Sequence, residues 1–251
     1  MNCFFTDTHC HLYNGYYDDV SSIIKNANDN NVCRFINAGC DVKGNLEVID
    51  KLSLKEVYGV IGYHPEEADN ITNKEIDLLE MQLNNKKIIG LGEIGLDYHY
   101  GKENKDAQLK LFELQLQMAS KYKLPVVIHS RDATKDTIDV LKKYPDVRGV
   151  IHSFSGRKET ANIYISMGYK LGINGVVTFK NSNLKDILNN IINNIVLETD
   201  SPYLTPHPNR GTRNEPKYIS DIAFFVSHYT GISLEELMSI TNNNINEVFD
   251  I

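Results

Sequence analysis

The chain has no surplus of positive charge. Its 26 lysines and arginines stand against 33 aspartates and glutamates, for a formal net charge of −7. That argues against a broad basic face gripping a nucleic-acid backbone. It does not exclude a nucleic-acid substrate, because bound divalent cations supply positive charge locally. Long apolar runs are missing too, and none approaches the roughly 20 residues of a membrane-spanning helix. The opening MNCFFTDT carries neither a basic segment nor a long apolar one, so no secretory leader is read there. The expected compartment is the cytosol, with no membrane contact and no obligate protein partner. The four cysteines, Cys3, Cys10, Cys33 and Cys40, show no CxxC spacing and fall in two apolar runs. Reduced core thiols are expected there, and a four-thiolate zinc site is not. No Gly/Ser linker or block of like charge divides the sequence, so residues 1–251 read as one domain.

What is present is an alternation. Short β-branched runs recur, each followed by a segment with apolar residues at helical spacing. Eight such runs occur: NCFFTDTH, CRFINAG, VYGVIGYH, KIIGLGEIG, PVVIHS, RGVIHSF, YKLGING and NIVLETD. Between them, KDAQLKLFELQLQMASKY, NKEIDLLEMQL and TKDTIDVLKKY carry helical periodicity. A proline-rich loop, SPYLTPHPNRGTRNEP, follows the eighth run, and two further helical segments finish the chain. Eight β-then-α units predict an α/β fold, the (β/α)8 TIM barrel. An open doubly wound sheet would want a glycine-rich phosphate loop after its first strand, and DTHCHLYNG is not one.

The polar residues fall at the C-terminal ends of these runs. The first ends in Asp7, His9 and His11, the third in His64, and the fourth carries Glu93. The fifth ends in His129, the sixth in His152, and the eighth in Glu198 and Asp200. In an α/β barrel these ends share one mouth. Side chains at i and i+2 of a strand point the same way, so His9 and His11 would face one point, with Cys10 turned toward the helices. Asp7 shares their parity, and is expected to support the ligands by hydrogen bonding from deeper in the strand. Four histidines and two acids on five strands of one face point to a metal site.

The segments DTHCHL (7–12), IGYHPE (61–66), GLGEIGLDYH (90–99), PVVIHSR (125–131), IHSFSG (151–156) and ETDSPYLTPHPNRGTRNEP (198–216) span nearly the whole chain. In content and order the chain resembles the TatD-like metal-dependent deoxyribonucleases, a branch of the amidohydrolase-like barrels. The resemblance implies metal ligation by His9, His11, Glu93, His129, His152 and Asp200, contact of His64 with substrate phosphate, and exonuclease action on DNA. It also permits hydrolysis of an amide or ester bond, for example in an aminoacyl-tRNA, as the alternative.

The residue chemistry agrees. Four imidazoles and two carboxylates suit one or two divalent cations, of magnesium, manganese or zinc. Two cations about 3.5–4 Å apart need a bridging group, and Glu93 is the expected bridge. His9 and His11 would hold one cation, His129 and His152 the other. Attack by metal-activated water then makes Asp200 the expected general base, with His64 stabilising charge or assisting the leaving oxygen. Ser153 and Ser155 read as turn residues. Arg210 in the proline-stiffened loop is a candidate phosphate contact, or else a clamp paired with Glu215. The acidic overall charge predicts modest affinity for DNA, little sequence specificity, a shallow salt dependence and action at strand ends.

Overall fold

The computed structural model describes residues 5–251. Eight parallel strands run in sequential order around a barrel: β1 (Phe5–Cys10), β2 (Val32–Ala38), β3 (Val57–Ile61), β4 (Ile88–Asp97), β5 (Val126–Arg131), β6 (Gly149–Ile151), β7 (Lys170–Ile173) and β8 (Ile195–Leu197). All eight expected strands form. Just past β8 the ring is drawn together at its rim. There the Asp200 N–H donates to His9 O at 2.9 Å, and the His11 N–H donates to Ser201 O at 2.8 Å.

Helices fill the crossovers: α1 (Val20–Asn28), α2 (Val42–Lys51), α3 (Asn73–Gln82), α4 (Lys105–Tyr122), α5 (Thr134–Leu141), α6 (Lys158–Ser166), α7 (Leu188–Ile191), α8 (Ile219–Thr230) and α9 (Leu234–Phe249). Several start on side-chain caps that satisfy the unpaired first-turn amides. Asp19 accepts from Ser21 N–H, Thr72 and Glu75 form a capping box, and Ser233 accepts from Glu236 N–H. The seventh crossover departs from the pattern. Residues 184–194 form 3-10 turns around the four-residue α7. Its asparagines compete for backbone hydrogen bonds and disfavour a longer helix.

Strand parity sorts the core into two layers. Ile36, Ala38, Val60, Ile89, Val127, Val150 and Val196 pack inside the barrel with Ile245, Val248 and Phe249 of α9. The last helix therefore plugs the floor, the end opposite the rim. The alternate residues, among them Phe35, Ile61, Val126, Ile128 and Ile151, pack outward in the larger cluster shared with the helices. Cys10 belongs to that outer layer and is fully buried, as its parity requires.

The other cysteines differ from expectation. Cys33 and Cys40 are half-buried rather than core: Cys33 is the second residue of β2, and Cys40, two residues past its end, lines the cavity at the barrel mouth. Cys3 lies outside the described residues. No helix among the described residues is long and apolar enough to cross a membrane.

Candidate metal centre

Each interior file changes character toward the rim. On β5, Val127 is followed two residues on by His129, and past β6 Val150 is followed by His152. After β8, Val196 leads to Glu198 and then Asp200. The same two-residue step that buries valine at the waist delivers an imidazole or carboxylate to the mouth. The result is a cavity of about 750 Å³ whose lining includes His11, His64, Glu93, His129, His152 and Asp200.

Glu93 is the hub. Its Oε2 lies 3.5 Å from His9 Nε2, and its Oε1 lies 2.7 Å from His129 Nδ1, 3.8 Å from His152 Nε2 and 3.9 Å from His64 Nε2. Asp200 Oδ1 faces His11 Nε2 at 3.6 Å, His152 Nε2 at 3.7 Å and His9 Nε2 at 3.8 Å. Asp200 holds a left-handed backbone (φ 57°). That conformation is uncommon for a residue with a side chain, and concentrates where geometry is over-determined. Here the Asp200 N–H is tied to β1, and its carbonyl accepts from Tyr203 N–H at 2.8 Å.

Buried partners set the tautomers. His11 Nδ1 lies 2.9 Å from Ala38 O, a group that only accepts, so that nitrogen carries the proton. His152 Nδ1 sits 3.0 Å from Glu198 Oε1, and His129 Nε2 sits 2.8 Å from Asp97 Oδ2. In the neutral ring His11 therefore turns a bare nitrogen toward Asp200, and His152 turns one toward Glu93 and Asp200, whereas His129 has an accepting carboxylate at each nitrogen, Glu93 Oε1 at 2.7 Å and Asp97 Oδ2 at 2.8 Å. His9 is more telling still. Both its ring nitrogens are buried without a hydrogen-bond partner, and its ring stacks on that of His152 at 3.7 Å. Buried polar atoms are rarely left so. Triads of donor atoms from His9, His11 and Glu93, from His9, His152 and Asp200, and from His64, Glu93 and His129 each cluster tightly enough to hold a cation. The donor set fits divalent metal, with Glu93 common to both sides.

The electrostatics follow from this crowding. Burial alone would raise the pKa of Glu93, but His152, His129 and His9 outweigh it and hold the carboxyl well below its ordinary range. Asp200 is likewise held low against burial, by His152, His11 and His9. Burial would lower His152 and His129. The carboxylates around them win, and the two rings are pushed up to about 10 and about 9. His64, farther from compensating charge, is lowered by burial to about 4.

The six expected ligands and His64 meet at one rim. Arg210 does not join them. Its guanidinium lies 4.0 Å over the Phe179 ring, and Glu215 pairs instead with Lys217 at 2.9 Å. The proline-stiffened loop thus uses Arg210 to hold itself to the loop after β7, and stacking on Phe179 takes the place of the expected clamp on Glu215. Asp7 supports the ligands through the backbone rather than through a ring. It accepts from Thr199 N–H at 2.9 Å, from Thr199 Oγ1 at 2.5 Å and from His9 N–H at 3.3 Å, bracing β1 against the segment after β8. Ser153 holds a turn (φ 49°) whose N–H donates to Glu198 Oε1 at 2.6 Å. Two supporting groups had no assigned role in the sequence reading. Asp97 lies four residues after Glu93 on the same strand, and Glu198 two before Asp200. Interior parity was the signal for both.

Comparison with known proteins places this architecture. A family profile described as TatD related DNase matches residues 6–250. YabD of Bacillus subtilis, named an uncharacterized metal-dependent hydrolase, is 36% identical over 98% of both chains. Human TATDN3, named a deoxyribonuclease, is 31% identical over 97% of this chain and 93% of its own. Among solved structures, the TatD homologue YJJV of Escherichia coli superposes with a TM-score of 0.94 at 25% identity, over the whole of both chains. With its barrel rim of imidazoles and carboxylates, the chain belongs to the TatD family of metal-dependent hydrolases.

Proposed function

We propose that the protein is a divalent-metal-dependent phosphodiesterase that shortens DNA from strand ends. The observation that carries this reading is the convergence of ring nitrogens from His9, His11, His129 and His152 on two carboxylates, with Glu93 in contact with both halves of the cluster. The description of the matching family profile and the name of human TATDN3 support DNA as substrate.

His9, His11, Glu93 and Asp200 would hold a divalent cation on one side and Glu93, His129 and His152 one on the other, which when bound would supply Lewis acidity that lowers the pKa of water and polarises phosphoryl oxygens. The protein's own groups do the rest. Asp200 stays ionised at neutral pH and stands at the cavity wall, where it accepts the proton of the attacking water. His64 Nδ1 accepts from Glu66 N–H at 3.3 Å, which leaves the proton on Nε2, facing Glu93 and the cavity. With its pKa lowered by burial, this ring is neutral. It donates a hydrogen bond to a phosphoryl or departing oxygen rather than acting as an imidazolium. Glu198 and Asp97 stand behind His152 and His129 and orient their rings toward Glu93. Asp41, Glu66 and Glu67 line one side of the mouth and repel a backbone that would continue across it, which favours a terminus.

The test offers metal-loaded protein linear single-stranded DNA, circular single-stranded DNA, duplex DNA and acyl esters in parallel. Linear strands should shorten while circles persist. Asp200→Asn, whose amide oxygen can still face the site, should lose at least about 100-fold in rate even at cation concentrations that saturate it. Ester or amide cleavage with inert DNA would replace this reading with the carbonyl-hydrolase alternative.

A further inference from the structure

Two aromatic rings in the cavity have no part in the hydrolytic chemistry. Tyr203, in the loop after β8, is 51% exposed, and Tyr100, in the loop after β4, is 78% exposed. Both line the cavity over the metal centre. Phe224 and Met81 are comparably exposed on outer helices, so exposure alone does not mark the two tyrosines; their place in the cavity wall does.

Each ring is held in place. The Tyr203 hydroxyl is 3.0 Å from that of Tyr16, whose ring stacks on Tyr13 at 5.3 Å. The Tyr203 ring also stands edge-on to His11 at 6.3 Å. Tyr100 is flanked by the His99 ring at 4.9 Å, and the Arg131 guanidinium lies 5.6 Å from its centroid. Tyr203 therefore adjoins the half of the site built from His11 and Asp200. Tyr100 adjoins the half built from His129 and Asp97. Both share the cavity wall with Glu93 and Asp200.

Resting on the phosphodiesterase reading above, we propose that Tyr203 and Tyr100 are stacking platforms for the two nucleobases that flank the scissile phosphodiester. Every base presents a π-face, so such platforms bind strongly without reading sequence. A base in a duplex is already stacked on its neighbours and must be freed first. The favoured substrate is thus a single-stranded end, and its smallest well-held unit is a dinucleotide. Arg131 backs the Tyr100 platform with the one arginine or lysine charge among the described residues lining the cavity.

The test compares one dinucleotide with two analogues of the same phosphodiester, each abasic on one side. Wild-type protein should show KM raised about tenfold for each abasic analogue, with kcat changed less. Tyr203→Leu should abolish that difference for one analogue and Tyr100→Leu for the other, whereas Tyr→Phe at either position preserves it. A dinucleotide carrying fluorescent 2-aminopurine gives a second readout. Its emission should be quenched on binding, and the matching Leu variant should lose the quench. Equal KM for base-bearing and abasic substrates, or a quench indifferent to both Leu variants, would overturn the platforms. Failure of wild-type protein to cleave any of the three phosphodiesters would instead overturn the reading on which they rest.

Discussion

Glu198 Oε1 lies 3.0 Å from His152 Nδ1, and that contact aims the opposite nitrogen of the same ring at Glu93 and Asp200. Glu198 is fully buried and never reaches the cavity. Its influence on the reaction passes through that imidazole and through the Ser153 turn, from whose N–H it accepts.

Glu198→Gln should therefore weaken cation binding by about 10- to 100-fold, because the amide no longer enforces the Nδ1–H tautomer. A binding isotherm for manganese, read beside thermal unfolding, checks this. If affinity is unchanged in a folded variant, the positioning role is wrong.

Cation loading should stabilise the protein. His9 alone buries two unpartnered ring nitrogens, and a ligand that binds only the folded state adds about 2.7 kcal/mol at a hundredfold excess over Kd. For a chain of this size that is a rise in Tm of about 5–10 °C, reversed by chelation. His9→Ala should remove most of the metal-dependent rise.

Loading should also release protons. In the metal-free protein His129 and His152 titrate at about 9 and about 10, so both carry a proton at pH 7. Cations need the bare nitrogens, so apparent affinity should climb as pH rises toward those values. The stability these raised pKa values lend the metal-free fold is complete below the ordinary histidine value and is lost as pH rises through about 9 to 10. Calorimetric titrations in two buffers of different ionisation heat count the protons released. A buffer-independent heat at pH 7 would contradict the assignment.

Much of this site was legible because it repeats one rule on several strands. PVVIH and VIH each place an imidazole at an interior position two residues beyond a valine, HxH places two on the face of Asp7, and barrel topology does the gathering. Asp97 and Glu198 were harder to read. An acid beside other acids at a strand end carries no mark of whether it reaches the cation or a ligand's far nitrogen. Arg210 escaped for a different reason: its partner, Phe179, comes from another loop, and no local pattern links them. The short seventh helix was obscured by apolar spacing that the asparagines around it override.

The floor of the barrel offers a stability test remote from the chemistry. Phe249→Ala should cost about 3–5 kcal/mol, seen as a lower urea midpoint, since the ring seals the interior against Val248 and Ile245. Turnover by the folded fraction should persist, because the floor is at the opposite end from the rim.

The valine files and the ligand files share the same strands, one directly above the other. Inserting or deleting a single residue low in β5 would swing His129 out among the helices and turn Ser130 inward, while reversing every wall contact below it. A length change that spares the site therefore has to fall in a loop, and the rim inherits its chemical precision from the spacing of plain hydrocarbon beneath it.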